Sequence, residues 1–187
     1  MNLENLYHIK EGIVPNSFCD DIIATGETKN ITDATIQDGN NNNRSSKVSW
    51  LDDKKLQTSL SNLIQIANDE SNWNFSLKEF EPLQYTIYNV GDHYDWHIDS
   101  HKKPYKNGLI RKLSFTMCLN DDFEGGEFCV CNPHPISEKT KIHTFNKLKK
   151  GTMIVFPSHI WHKVGKVTKG TRKTLVGWVV GTQFIWH

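Results

Sequence analysis

The segment from residue 84 to residue 99 combines histidines and carboxylates at short, regular spacing. It contains two His-x-Asp pairs, His93 with Asp95 and His97 with Asp99. Residues two apart on a β-strand share a face, so either pair could bind one metal ion from one side. Simple alternation puts all four side chains on the same face, and the choice between the pairs stays open at this point.

A second histidine cluster lies downstream. It contains His159 and His162, and Arg172, one of only three arginines in the chain, follows His162 by ten residues. Two histidines and one carboxylate occupy one face of an octahedral ion and leave three positions open, as in the facial triad of non-haem Fe(II) oxygenases. A nearby guanidinium could form a bidentate pair with the far carboxylate of a dicarboxylic acid bound to such an ion. We therefore expect a metal site built from both segments.

The stretch from about residue 84 to residue 178 resembles the 2-oxoglutarate- and Fe(II)-dependent dioxygenases, specifically the prolyl 4-hydroxylase branch. No single motif is specific, but together they are. The motifs are Tyr88-x-x-Gly91-x-x-Tyr94-x-x-His97-x-Asp99, Arg111-x-Leu113-Ser114, Leu119-Asn120, Gly125-Gly126-Glu127-Phe128, His162-x-Val164, Val167, Gly170, Arg172 and Trp178. The earlier part of the chain is only compatible with the family, through Arg44-Ser45 and Trp50-Leu51.

The resemblance implies which residues bind the metal and the co-substrate. His97, Asp99 and His162 would be the ligands of Fe(II), and Arg172 would pair with the distal carboxylate of 2-oxoglutarate. Tyr88 matches a family tyrosine whose hydroxyl contacts 2-oxoglutarate. Only the His97–Asp99 pair has the family spacing from Tyr88, so the resemblance favours it over the other His-x-Asp pair.

Two further groups could compete for a metal. His159 is interpreted as a loop residue or as a neighbour of the metal ligands that does not bind the metal. The reason is that only His162 lies ten residues before Arg172. Cys129, Cys131 and His134 could suggest zinc, but their spacing lacks the Cys-x2-Cys pattern of zinc knuckles. We interpret these two cysteines as small buried side chains of a strand.

The activity that the resemblance implies is hydroxylation of a prolyl residue at its 4-position, with O2 consumed and succinate and CO2 released. Arg111 and Trp178 match positions that face a peptide or protein substrate near its target proline. The resemblance also suggests ascorbate as a reductant of oxidised iron. The alternatives are a hydroxylase of a free amino acid or other small molecule, and a non-catalytic jelly-roll module that keeps a metal. The nucleic-acid demethylase branch is disfavoured because Lys173, rather than a second arginine, follows Arg172.

Composition sets wider limits on function. The chain has 187 residues, of which 37% are hydrophobic, and a net charge of +1. This hydrophobic content favours a folded core, and the near-neutral charge argues against a nucleic-acid partner. We expect no membrane partner, because no apolar run approaches the roughly 20 residues of a membrane span and the start lacks a signal peptide. Four scattered cysteines favour a reducing, cytoplasmic location. The oligomeric state is left open.

Two helices are predicted in the first part of the chain. Ser17 and Asp20 resemble a capping box, so a helix is expected over about 18–27. The apolar period between about 52 and 72 predicts a second, amphipathic helix. The asparagine-rich stretch 38–43 has no apolar period and is expected to be an exposed loop.

Short strands are predicted in the second part, at 77–88, 113–119, 127–131, 152–156, 159–167 and 174–180. Two irregular segments between them, 100–110 and 132–147, are expected to be loops, either over the site or on the solvated surface. We expect one domain over 1–187 of the α+β class, mainly β, with helical support over about 1–75. The resemblance implies that the core over about 76–187 is a jelly roll, the double-stranded β-helix.

Overall fold

In a computed structural model of the protein, the structure describes residues 5–35, 43–101, 103–136 and 140–183. Within these ranges the chain forms two α-helices and fifteen strands. In chain order they are β1 (His8–Lys10), α1 (Asn16–Glu27), β2 (Thr32–Asp33), β3 (Arg44–Ser45), β4 (Lys47–Leu51), α2 (Lys54–Glu70), β5 (Leu77–Phe80), β6 (Leu83–Tyr88), β7 (His93–His97), β8 (Leu109–Cys118), β9 (Glu124–Gly125), β10 (Phe128–Cys131), β11 (Ile142–Phe145), β12 (Met153–Pro157), β13 (Trp161–Val164), β14 (Val167–Lys169) and β15 (Arg172–Thr182).

Two antiparallel sheets pack face to face. In the described part of the chain, the larger sheet has the order β1-β12-β8-β15-β6-β4-β2, with β5 also paired to β15, and the smaller has the order β11-β10-β13-β7-β3. Phe128 and Val164 of the smaller sheet share a buried cluster with Tyr88 and Phe156 of the larger one. Strands β9 and β14 form a separate pair. This arrangement is the expected double-stranded β-helix.

Both helices pack on the outer face of the larger sheet. Ile22 of α1 and Leu60 of α2 lie in a second buried cluster with Phe115 of β8. Full burial of such side chains stabilises the fold by about 1.5–3 kcal/mol each. In the described residues, neither helix combines the length and the apolar character needed to cross a bilayer.

The two helices begin in different ways. Asp53 caps α2, because its carboxylate accepts hydrogen bonds from two backbone N–H groups of the first turn, at 2.9 and 3.0 Å. Helix α1 follows Pro15, and no side chain caps it. The predicted capping box is wrong because the Pro15 carbonyl already accepts from the backbone N–H of Phe18, which puts Ser17 inside the first turn.

Alternation along β15 divides its side chains between the two faces of the larger sheet. Leu175 and Val179 lie in the cluster beneath the helices. Arg172, Thr174 and Trp178 instead line a cavity on the inner face, between the sheets. Because β15 pairs with both β6 and β8, side chains of three neighbouring strands meet in that cavity.

Several predicted boundaries differ from those of the structure. Strand β11 falls inside the segment 132–147 that was expected to be irregular, and it pairs along the length of β10. The stretch 77–88 is interrupted after Phe80, and 159–167 contains parts of two strands. Strands β1, β2 and β4 belong to the larger sheet and β3 to the smaller one. The part of the chain before residue 75, which was expected to be helical support, therefore contributes strands as well as helices. Of the asparagine-rich stretch 38–43, only Asn43 lies within the described residues.

Candidate active site

The three side chains predicted to bind a metal converge between the sheets. His97 ends β7, Asp99 follows it by two residues, and His162 of β13 is the register partner of His97. The Nε2 atoms of His162 and His97 lie 3.5 and 3.8 Å from the Asp99 carboxylate oxygens. One ligand atom from each residue lies within 4.8 Å of the others, and the described residues contain no other such group of His, Cys, Asp or Glu.

An irregularity in β7 decides which pair faces the interior. The register of β7 against β13 shifts between Tyr94 and His97. As a result the rings of Tyr94 and His97 lie on the same side of β7 and stack, with their centroids 3.5 Å apart and an angle of 14° between their planes. Simple alternation, which put His93, Asp95 and His97 on one face, is therefore wrong here, because a bulge adds one residue to the strand. His93 and Asp95 do not belong to the metal-binding group.

Backbone carbonyls orient both imidazole rings. The Nδ1 atom of His97 lies 2.7 Å from the Asp95 carbonyl oxygen, and that of His162 lies 2.9 Å from the Ile160 carbonyl oxygen. A carbonyl oxygen can only accept, so each ring carries a proton on Nδ1, and the neutral ring then has its lone pair on Nε2. This is the tautomer and orientation that a metal ligand requires.

The charges of the three side chains also suit a cation. Burial and the neighbouring His162 lower the pKa of His97 to about 3, so its ring is neutral at physiological pH. Burial by itself raises the pKa of Asp99, but electrostatic interactions with His162, His97 and Arg111 outweigh it and lower that pKa to about 2. The group thus offers imidazole lone pairs together with one carboxylate, the donor set of the facial triad.

Arg172 is a buried cation that lacks an anionic partner among the residues that the structure describes. Its side chain is 1% exposed, and Nη2 has no hydrogen-bond partner in the described part of the protein. Its guanidinium carbon lies 5.4 Å from the centre of the ring of Tyr88, its register partner on β6. Leaving a buried charge unpaired costs several kcal/mol. A buried guanidinium that lines a cavity and has an unpartnered N–H group fits the carboxylate of a ligand.

A glycine makes room for this arginine. Gly126 has φ +62°, and a Cβ atom at this position would lie 2.9 Å from Cδ of Arg172 and 3.1 Å from a methyl carbon of Val167. Both the backbone conformation and the close approach therefore require glycine. The Gly125-Gly126 motif of the sequence thus shapes the space around Arg172.

One cavity of about 600 Å³ joins the predicted site. This volume is in the usual range for a site that holds a small molecule. Its lining includes all seven residues that the sequence singled out for metal, co-substrate or substrate, namely Tyr88, His97, Asp99, Arg111, His162, Arg172 and Trp178.

Arg111 and Trp178 lie on the cavity wall, but the charge of Arg111 is already paired. Its Nε and Nη2 atoms donate to the two carboxylate oxygens of Glu81, at 2.8 and 2.6 Å. The Tyr105 hydroxyl donates to the same carboxylate at 2.8 Å. The Arg111 guanidinium lies 4.1 Å from the centre of the Trp178 ring. Arg111 therefore holds the indole in place, and Glu81 was not predicted from any sequence pattern.

Sequence reasoning also left Arg44 without a role. This residue lines the same cavity, and its guanidinium lies 4.6 Å from the centre of the Tyr94 ring that stacks on His97. Its rarity was the available signal, because Arg44, Arg111 and Arg172 are the only arginines of the chain and all three line this cavity.

The competing metal groups stay apart from the site. His159 does not line the cavity, and burial lowers the pKa of its ring. Cys129 and Cys131 are free and buried on β10, where the Cys129 thiol donates to the Thr144 hydroxyl at 3.6 Å. Neither these cysteines nor His134 belong to a metal-binding group among the described residues.

Comparison with known proteins agrees with the geometry. A family model for the 2OG-Fe(II) oxygenase superfamily matches residues 83–180, more than half of the chain. The chain is 41% identical over 92 residues to a PKHD-type hydroxylase of Prochlorococcus marinus (strain NATL2A), a match that covers 48% of this chain and 37% of that relative. The chain thus spans less than half the length of this relative.

Solved structures share the fold at low sequence identity. A Pseudomonas putida prolyl-4-hydroxylase superposes with a TM-score of 0.72 at 16% identity, covering 97% of this chain and 95% of that chain. A Trichoplax adhaerens prolyl hydroxylase, in complex with a peptide fragment of the hypoxia inducible factor oxygen degradation domain, gives 0.71 at 16% identity, with 95% and 84% covered. These likenesses establish the double-stranded β-helix.

Proposed function

The chain belongs to the 2OG-Fe(II) oxygenase superfamily, and we propose that it is a 2-oxoglutarate- and Fe(II)-dependent dioxygenase that hydroxylates prolyl residues of a peptide or protein at the 4-position. The observation that carries this proposal is that His97, Asp99 and His162 share one cavity with Arg172, whose Nη2 atom has no hydrogen-bond partner in the described residues. The first three form a donor set for Fe(II), and the fourth fits the far carboxylate of a dicarboxylic co-substrate. Succinate and CO2 are the expected co-products.

The metal would be held by the Nε2 atoms of His97 and His162 and by the Asp99 carboxylate. When bound, Fe(II) supplies the redox chemistry that couples oxidation of 2-oxoglutarate by O2 to hydroxylation of a C–H bond. The protein orients the donors: the register of β7 against β13 places the two rings together, and the carbonyl contacts at Nδ1 direct both Nε2 lone pairs. Three protein ligands leave positions open for the co-substrate and O2.

Arg172 and Tyr88 would hold 2-oxoglutarate. Arg172 receives the distal carboxylate through its planar fork, in a dry environment where such a pair is strong. Tyr88 lines the cavity beside it and offers a hydroxyl. Because the two residues are register partners on β15 and β6, backbone pairing keeps the distance between them constant.

Two tryptophans at the cavity would receive the prolyl ring. Trp50 is 49% exposed, and its ring lies 6.2 Å from that of the buried Trp178. Aromatic faces of this kind suit an apolar pyrrolidine ring. Arg111, paired with Glu81, lies over the Trp178 indole and steadies it. The prolyl hydroxylase names of the superposed structures, one of them with a peptide, support a peptide or protein substrate.

Two further points belong to the same proposal. The resemblance to prolyl 4-hydroxylases supports ascorbate as the reductant that returns oxidised iron to Fe(II). A cytoplasmic location is supported by the free, buried cysteines Cys19, Cys118, Cys129 and Cys131, which suit a reducing compartment.

A peptide-library turnover assay tests the proposal. Proline-containing peptides are incubated with Fe(II), 2-oxoglutarate and the wild-type chain or Asp99→Ala, and products are read as a gain of about 16 Da, the mass of one oxygen atom. We expect hydroxylated peptide and succinate in equal amounts with wild type, and neither with the variant. Activity on a free amino acid, with no activity on any peptide, would contradict a peptide or protein substrate and indicate a small-molecule hydroxylase. Succinate formation that survives in Asp99→Ala would contradict the assignment of the site.

A further inference from the structure

Arg44 contributes a positive charge to the cavity that nothing described in the structure neutralises. Its Nε atom donates to the Ser46 hydroxyl and its Nη2 atom to the side-chain oxygen of Gln84, both at 2.9 Å. Both acceptors are neutral. None of the ion pairs among the described residues involves Arg44. Its fork is thus oriented by hydrogen bonds while its charge stays uncompensated.

The other charges of the cavity cancel. Arg111 is paired with Glu81 through two hydrogen bonds. In the proposed function, a divalent metal ion, Arg172, the Asp99 carboxylate and the two carboxylates of 2-oxoglutarate add up to zero. With metal and co-substrate bound, the described lining of the cavity therefore keeps one positive charge, that of Arg44. A partly buried charge of this kind attracts a complementary anion.

Arg44 also lies close to the reacting centre. Its guanidinium lies 4.6 Å from the centre of the Tyr94 ring, and that ring stacks on His97 at 3.5 Å. Strand β3 carries Arg44 directly opposite Tyr94 on β7. Because only one aromatic ring separates Arg44 from a metal ligand, an anion bound by Arg44 would lie in the same cavity as the carbon that is oxidised.

We propose that Arg44 binds a carboxylate of the substrate, adjacent to the prolyl ring that is hydroxylated. The inference rests on the proposed function and narrows its substrate class to one that carries this negative charge. The carboxylate has two sources, the side chain of an aspartate or glutamate next to the proline in a peptide, or the free α-carboxylate of a terminal or free proline. A guanidinium fork binds either one with two parallel hydrogen bonds.

Binding without turnover tests the inference. The chain is loaded with Mn(II) and 2-oxoglutarate, and peptide affinities are measured by isothermal titration calorimetry. One peptide pair carries Asp or Asn next to the proline, and a second pair ends in proline as the free acid or the amide. We expect one acidic member to bind about tenfold or more tightly than its neutral partner, the range of a charge-assisted pair. The pair that shows the preference identifies the source of the carboxylate.

Variants separate recognition from a structural role. Arg44→Gln should reduce the preference to within about twofold, while Arg44→Lys keeps part of it, because lysine retains the charge but not the fork. Lys169→Gln also removes one positive charge, from an exposed ion pair with Glu124, and should keep the wild-type preference. Equal affinity for acidic and neutral peptides in wild type, binding of neither, or an equal loss for both in Arg44→Gln overturns the inference. A failure of the proposed function is seen separately, as the absence of succinate formation with Fe(II).

Discussion

His97 and His162 are register partners on β7 and β13, and their ring centroids lie 4.0 Å apart. Each ring donates through Nδ1 to a backbone carbonyl two residues earlier, so the same local arrangement on two strands directs two Nε2 atoms to one place. Asp99 joins them because the backbone N–H groups of Asp99 and Ser100 both donate to the Ser158 carbonyl, at 2.9 Å. These bonds attach the end of β7 to the turn before β13.

Substitution of Arg172 should weaken the binding of 2-oxoglutarate. Arg172→Gln replaces the buried guanidinium with a neutral amide. We therefore expect the affinity of the Mn(II)-loaded protein for 2-oxoglutarate to fall about 10- to 100-fold, the value of a charge-assisted hydrogen-bond pair. Isothermal titration calorimetry measures this change. Lys173→Gln is the matched control, because the neighbouring Lys173 pairs with Glu27 rather than lining the cavity. An unchanged affinity in Arg172→Gln would contradict its role.

Gly126→Ala should weaken the binding of 2-oxoglutarate by steric crowding rather than by loss of charge. The new Cβ would press on the Arg172 side chain, and the positive φ adds a cost of about 1–2 kcal/mol in unfolding free energy. Gly12→Ala has a similar φ of +58° but meets nothing within 4 Å. We expect both variants to lose stability in urea denaturation, and only Gly126→Ala to bind 2-oxoglutarate more weakly. Equal affinities in the two variants would show that the glycine does not shape the Arg172 site.

Acid should destabilise the metal-free protein. The ordinary pKa of histidine is 6.5, and burial with the nearby His162 lowers the pKa of His97 to about 3 in the folded chain. Between these values the unfolded state binds a proton that the folded state does not, so the free energy of unfolding falls as the pH falls, by up to about 1.4 kcal/mol per pH unit for this proton. Thermal denaturation between about pH 7 and pH 4 measures the loss. His97→Gln should flatten the pH dependence of the stability. A profile identical to that of wild type would show that His97 does not cause it.

Breaking the pair of Glu81 with Arg111 should cost stability and weaken substrate binding. Glu81→Gln leaves a partly buried guanidinium without its anion, and we expect the free energy of unfolding to fall by about 1–3 kcal/mol. The KM for peptide should rise because the Trp178 indole loses its support, while the affinity for 2-oxoglutarate stays the same. Glu79→Gln, at an exposed position of β5, is the control and should change neither. A rise in the KM of the control equal to that of Glu81→Gln would remove the specific role of the pair.

The spacing of residue types predicted a metal site from a His-x-Asp pair and a downstream histidine, and the family resemblance selected the residues that the structure brings together. His97 and Asp99 are two residues apart at the end of one strand, and His162 precedes a rare arginine by ten residues. The two helices were predictable from apolar periodicity, since α2 buries one continuous stripe against the sheet. The start of α1 was not, because the Pro15 carbonyl rather than a side chain begins it.

Features that depend on pairing between distant segments were not predictable. The bulge that turns Tyr94 to the side of His97 is a property of the register between β7 and β13. The Glu81–Arg111 pair joins residues 30 positions apart, and no local pattern links the two. Arg44 reaches the cavity only because the two-residue strand β3 pairs with β7. Such contacts are decided by tertiary structure rather than by local sequence.

Anaerobic binding of 2-oxoglutarate, measured by isothermal titration calorimetry with and without Fe(II), tests most directly whether the metal-binding group and Arg172 form one site. We predict that wild type binds 2-oxoglutarate only when Fe(II) is present, that Asp99→Ala loses this binding and that Arg172→Gln weakens it. His159→Gln, outside the metal-binding group, should behave as wild type. Tight binding of zinc with no binding of 2-oxoglutarate would contradict the site and indicate a structural metal instead.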